Sequence, residues 1–246
     1  MPTFKEVYAK AGRHHGDFGL RYIGYHPGLL LVKLFANTPL QPNTVSLINI
    51  LWVIVPVLLL FHGGYIFGVL ATAALLVNLV LDCFDGSLAR FRNAKSLLGK
   101  YFEHMFHEIS VPVLMFALSV FSYQEWGDAR LLILGAFTAM STFIIHASRR
   151  KKDAIILERS YKEGRLIPTK KFTRSFWAGE KKGVSWLAHH FIFAFNSIGH
   201  QDFFLFVAAL LGWLQYAILF YGPFYILIAL AKIVLEFRRG FKDYTL

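Results

Sequence analysis

Six apolar stretches govern what this chain can become: residues 45–61, 65–81, 109–122, 131–147, 203–221 and 224–237. A helix needs about 17–25 mostly apolar residues to cross a bilayer. Inside lipid the backbone must also satisfy its own hydrogen bonds, which leaves helices as the natural solution for such runs. The pattern predicts an all-α integral membrane protein with six transmembrane helices. The third and sixth stretches are thin, so both are expected to extend into their flanks. His62-Gly63-Gly64 and Gly222-Pro223 supply the breakers expected between spans one and two and between five and six. Composition agrees. A chain that is 56% hydrophobic with 25 Phe is no disordered tail, and one cysteine builds no disulfide framework.

Residues 1–43 mix charged residues with Gly and His and hold no cleavable apolar core, so they read as an amino-terminal segment rather than a signal peptide. Within them, residues 27–36 are too short to span. They predict an interfacial helix lying at the headgroups, with Lys33 snorkelling. Residues 44–240 then form the membrane domain.

The chain carries 26 Lys and Arg against 15 Asp and Glu. All the basic residues but Arg130 lie in the amino-terminal segment, in the connections after spans two and four, or toward the carboxyl end. The positive-inside rule therefore expects both termini and both long connections in the cytoplasm, and it favours an even number of spans. Attraction to anionic membrane lipids accounts for the basic excess. Nucleic acid is excluded as a partner, because the basic residues flank spans rather than interleave with exposed aromatics. Cys83, one small residue in a span, reads as packing.

Ionisable groups at the edge of a span are costly, and by default they mark function. The second span runs into Asp82-Cys83-Phe84-Asp85-Gly86. Three residues apart on a helix, Asp82 and Asp85 share one face. Two adjacent carboxylates repel unless a cation or a proton lies between them. One Asp is explained by capping, but the pair is not, since acidic groups are unfavourable at a helix carboxyl end. Glu103 and His107, four apart, share a face of the next helix, and Gly86, Ala89 and Gly99 allow close helix approach. Such a stretch can build an oxygen-rich cation site in a cavity facing the cytoplasm.

The full string is Asp82-x2-Asp85-Gly86-x2-Ala89-Arg90-x8-Gly99-x3-Glu103-x3-His107. It resembles the signature of the CDP-alcohol phosphotransferases, Asp-x2-Asp-Gly-x2-Ala-Arg-x8-Gly-x3-Asp-x3-Asp. Every spacing matches, and so do six of the eight fixed residues. Thr38-Pro39-Leu40-Gln41-Pro42-Asn43-Thr44 is similar to the Thr-Pro-Asn entry of that family. The resemblance covers roughly residues 20–240 and implies six spans with both termini inside.

The resemblance implies a membrane transferase that moves a substituted phosphate from a CDP-activated donor to an alcohol acceptor and releases CMP, usually in phospholipid synthesis. Asp82, Asp85 and Glu103 would hold Mg²⁺ or Mn²⁺, for which hard oxygen ligands are suited. His107 would be the general base. Asn43, Asp82, Gly86, Ala89, Arg90 and Gly99 would receive the nucleotide, with Gly86 and Ala89 leaving room for it and Arg90 supporting the site electrostatically. A homodimer is the usual assembly. Glu103 and His107 depart from the signature. Glu keeps the charge on a longer arm; a neutral imidazole is a competent base but could equally ligate a metal. The departures leave open a CMP-linked phosphonate or polyol donor with a lipid or glycan acceptor, or a non-catalytic nucleotide-binding relative.

Three further readings stand beside this one. His104, His107 and Glu108 resemble a compact metal cluster, although about 100° of rotation per residue turns His104 away. Arg149, Arg150, Lys151 and Lys152 follow the fourth span as topology requires; Arg149, Arg150 and Lys152 are also candidates for an acceptor phosphate. A cation-coupled transporter would spread its polar residues over several spans. Here they cluster in one stretch. Residues 184–198, rich in aromatics and carrying His189 and His190, read as an interfacial helix or the entry to a longer fifth span.

Overall fold

The computed structural model describes residues 1–12, 19–94, 96–162 and 198–239, and every regular element among them is helical. Helix α1 (Phe4–Ala11) opens with a capping box. The Glu6 amide donates to Thr3 Oγ1 at 3.3 Å, and the Thr3 amide donates to the Glu6 carboxylate at 2.8 Å. A π-helical turn (Gly19–Tyr25) leads into α2 (His26–Phe35), which has Pro27 in its first turn.

The first span, Pro42–His62, consists of α3 (Pro42–Trp52) and α4 (Ile54–His62), joined by a turn at Val53. Gly63 and Gly64 follow with φ of 77° and 81°, left-handed values that side chains resist, so the expected first breaker is the actual turn. Helix α5 (Tyr65–Phe91) runs 27 residues, about 40 Å at ~1.5 Å per residue. That exceeds a hydrocarbon core of about 30 Å, and Asp82 lies about 26 Å from Tyr65 along the axis. The carboxylates therefore stand near the place where the helix leaves lipid.

Helix α6 (Leu97–Trp126) begins at an N-cap, where Ser96 Oγ accepts from the Gly99 amide at 2.9 Å. It extends the short third stretch in both directions, as expected. Helix α7 (Arg130–Lys162) carries the fourth span, Arg130–Ser148, and continues into the basic run. Its start is fastened by Asp128, which accepts from the Arg130 amide at 2.9 Å and pairs with its guanidinium.

Five helical segments among the described residues are long and apolar enough to cross a membrane: Pro42–His62, Tyr65–Phe91, Leu97–Trp126, Arg130–Ser148 and Leu214–Val234. The fifth and sixth stretches are divided differently from the expectation. The chain breaks at residues 211–213, where Gly212 has φ of 71°, between α8 (Ile198–Leu210) and α9 (Ala217–Arg239). A short 3₁₀ turn (Leu214–Tyr216) precedes α9. Gly222 and Pro223, read as a breaker, lie inside α9. A Cβ on Gly222 would come within 2.9 Å of Leu134, so the glycine serves helix packing. Proline in such a helix is tolerated where neighbouring helices compensate for the lost hydrogen bond. Residues 184–197 of the predicted aromatic segment lie outside the described residues.

Two buried clusters organise the bundle. One joins Leu60, Leu75, Met115, Leu118, Phe121, Leu205 and Tyr221 across the spans. The other packs Val7, Ala11, Tyr25, Leu29 and Val32 of the amino-terminal segment against Cys83, Phe84 and Leu88. The amino-terminal helices thus buttress the back of the helix that carries Asp82 and Asp85. Gly28 permits that contact, since a Cβ there would stand 3.1 Å from the Cys83 backbone. Cys83 is buried in this seam, in keeping with a packing role.

Candidate active site

Asp82 and Asp85 project from α5 one turn apart. Asp85 is 9% exposed, and its Oδ2 accepts a 2.6 Å hydrogen bond from Ser46 Oγ on α3. A carboxylate so buried needs such a donor, because an unsatisfied charge in an apolar setting is expensive. Asp82 is half-buried, and Glu103 is exposed on the first turns of α6. Asp82 stands within electrostatic range of Glu103, and Asp85 within range of both. The structure therefore brings together three of the predicted acidic residues from two helices. His107 lies one turn beyond Glu103 and is half-buried, its ring 5.1 Å from that of Phe106.

The entry to the first span closes one side. Asn43 Oδ1 accepts from Ser96 Oγ at 2.9 Å, and Ser96 in turn caps Gly99. A Cβ on Gly99 would lie 2.9 Å from Asn43 Oδ1, so only glycine leaves this junction undisturbed. Asn43 and Gly99, expected at one site from residues 56 positions apart, meet through a serine that the sequence pattern did not mark.

Arg90 takes a more structural place than expected. Its Nε donates to the Ala11 carbonyl at 3.0 Å and its Nη2 to Ser87 Oγ at 2.8 Å. Its Nη1 lies 3.3 Å from the position a Cβ would occupy on Gly86. The guanidinium thus ties α1 to the signature helix while bordering the space that Gly86 leaves open. Ala89, three residues beyond Gly86, is half-buried.

Arg92, just past the end of α5, went unrecognised in the sequence. Its guanidinium donates to the carbonyls of Phe35, Ala36, Thr38 and Leu40. These include the last carbonyls of α2, which have no partner within their own helix. A lone arginine in a basic connection gives no sign of such a role.

Among the described residues, no three His, Cys, Asp or Glu side chains are arranged to hold a metal ion. His104, His107 and Glu108 form no such group, and Asp82, Asp85 and Glu103 are neighbours without converging on one point. The backbone of Arg149, Arg150 and Lys152 continues α7 past Ser148; their side chains lie outside the described residues. One helical turn earlier, Lys232 of α9 donates to the Ile145 carbonyl, a cross-link that the sequence did not announce.

The grouped carboxylates at the end of α5 and the start of α6 agree with comparison to known families. The model of the CDP-alcohol phosphatidyltransferase family matches residues 40–220 of the 246. The chain belongs to this family. No curated protein matches it. CDP-alcohol phosphatidyltransferases pass a phospho-group from a CDP-alcohol to an acceptor and generally depend on a divalent metal. The matched segment contains all eight signature positions, Asp82 to His107, and the Asn43 junction.

Proposed function

We propose that this protein transfers a substituted phosphate from a CDP-activated donor to an alcohol acceptor at the cytoplasmic membrane surface, releasing CMP, in the synthesis of phospholipid. The observation that carries the reading is the grouping of Asp82, Asp85 and Glu103 within mutual electrostatic range, near the point where α5 leaves the apolar layer. The donor set is all carboxylate oxygen, which fits Mg²⁺ or Mn²⁺. Asp82 and Asp85 on one turn of α5 and Glu103 on α6 are the residues that would hold the ion. Held there, a divalent ion would neutralise charge on the donor's pyrophosphate and on the departing phosphate.

The remaining work falls to the chain's own residues. Asn43, Gly86, Ala89 and Gly99 shape the nucleotide's space, and Arg90 borders it. His107, one turn from Glu103, takes the proton from the acceptor hydroxyl. The acceptor oxygen bonds to the phosphorus distal to cytidine; the bond from that phosphorus to the bridging oxygen breaks, and CMP departs with that oxygen. Arg149, Arg150 and Lys152 are assigned to an acceptor phosphate, and the assembly to a homodimer. The distribution of Lys and Arg supports the cytoplasmic placement of both termini and of the site.

The test is CMP release by the purified full-length protein with Mg²⁺ or Mn²⁺ and a panel of donors. The panel includes CDP-diacylglycerol, CDP-linked polar alcohols and CMP-linked phosphonates, because Glu103 and His107 replace two Asp. Metal-dependent CMP release that needs an alcohol acceptor is expected. Retention of every donor unchanged, alongside an active relative in the same assay, would leave only nucleotide binding.

A further inference from the structure

The first span presents a polar stripe of which only the first residue, Asn43, enters the proposed chemistry. Asn43, Ser46 and Asn49 recur every three residues along α3, which places them on one face. Each meets a different part of the catalytic half. Asn43 accepts from Ser96 at the start of α6, and Ser46 donates to Asp85 on α5. Asn49 receives the Asn78 side-chain amide at its Oδ1 (2.5 Å) and its backbone carbonyl (3.1 Å). Ser46, Asn49 and Asn78 are all buried, at 6%, 1% and 4% exposure. The Asn49–Asn78 pair is a separate tie between the same two helices, about one turn along α3 from Ser46 and about two turns along α5 from Asp85, and it touches neither residue.

From this we infer that Ser46 is a positioning residue for the proposed metal centre: its hydrogen bond restrains the Asp85 carboxylate, one of the groups that would hold the cation. Ser46 Oγ has two acceptors within reach, Asp85 Oδ2 at 2.6 Å and the Pro42 carbonyl of its own helix at 3.3 Å. The hydroxyl carries one proton, and the shorter, charge-assisted bond goes to the carboxylate. That bond restrains rotation of the Asp85 side chain and takes up one lone pair of its carboxylate. Metal ligands are commonly held in this way, and losing the supporting hydrogen bond typically weakens metal binding by about 10–100-fold.

The inference rests on the reading of Asp82, Asp85 and Glu103 as a metal site, and its test separates the two. Mn²⁺ alone is titrated into the detergent-solubilised full-length protein, and free Mn²⁺ is followed by its electron paramagnetic resonance signal. Thermal melts of each variant without metal run in parallel. Ser46→Ala is expected to raise the Mn²⁺ dissociation constant about 10–100-fold. Ser46→Thr, which keeps the hydroxyl, restores it to within a few-fold. Asn49→Ala lowers the melting temperature and leaves Mn²⁺ affinity within about twofold of the unaltered protein, because it touches no ligand. Equal Mn²⁺ affinity in Ser46→Ala and the parent would overturn the role of Ser46 while leaving the metal site standing. So would an equal loss in Ser46→Ala and Asn49→Ala, which would reduce Ser46 to general packing. Absence of Mn²⁺ binding by the parent protein itself, unchanged by Asp82→Asn, would overturn both.

Discussion

Replacing Arg92 should loosen the whole entry to the first span, and the size of the effect can be worked from its contacts. The guanidinium directs four N–H hydrogens at the carbonyls of Phe35, Ala36, Thr38 and Leu40. Hydrogen bonds to charged groups contribute about 1.5–3 kcal/mol each when fully shielded. Arg92 is only half-buried, so water would re-solvate several of these carbonyls in its absence. A total of about 2–4 kcal/mol for Arg92→Ala is the reasoned value after that discount. At about 2–4 °C per kcal/mol for a chain of this size, the melting temperature should fall by roughly 5–15 °C. Arg92→Lys keeps the charge but loses the planar fork, so one ammonium cannot reach all four acceptors, and less than half of the loss should be recovered. Thermal unfolding in detergent, followed by circular dichroism, measures both variants. A lysine variant that melts with the parent would refute the argument, because charge alone would then do what we ascribe to fork geometry.

Two other outcomes follow from the site and a third from the turn between α6 and α7. Asp82→Asn and Asp85→Asn should each lower CMP release at least ~100-fold, beyond what a change in metal concentration restores, since each removes a carboxylate from the proposed ion. Gly99→Ala places a methyl group 2.9 Å from Asn43 Oδ1, so the donor KM should rise several-fold with a smaller change in kcat; an unaltered KM would remove Asn43 from the nucleotide's surroundings. The hydrogen bonds from Arg130 hold the Asp128 carboxyl below its ordinary value of 3.8. A depressed folded-state pKa contributes stability above about pH 4 that is lost as pH falls through the folded value. The melting gap between Asp128→Asn and the parent should therefore be present at pH 7 and close in strong acid.

Much of this was legible because apolar length and short-range spacing are local properties. The His62-Gly63-Gly64 turn sits between two long apolar runs and needs positive φ, so sequence and structure coincide there. The second hairpin misled for an equally physical reason. Gly222-Pro223 is a strong breaker in water, but in a packed bundle the glycine faces Leu134 and the proline stays helical, while the inconspicuous Gly212 makes the turn. The site divides in the same way. Asp82, Asp85, Glu103 and His107 were readable because helix periodicity puts them on shared faces. Ser46, Ser96 and Arg92 were not. Their partners lie 39, 53 and 52–57 residues away, and a single serine or arginine carries no spacing from which such a partner could be found.

The length of α5 makes bilayer thickness a parameter of the proposed reaction. The helix sets Asp82 about 26 Å from the glycine turn at its far end. Thin membranes would leave the carboxylates standing proud in water, where the nucleotide donor arrives easily but a lipid-borne substrate must climb. Thick ones would draw them toward the hydrocarbon, where charge is harder to sustain and the helix must tilt or the lipid must thin around it. On the proposed function, acyl-chain length in the host membrane would thus tune how donor and acceptor meet at one site.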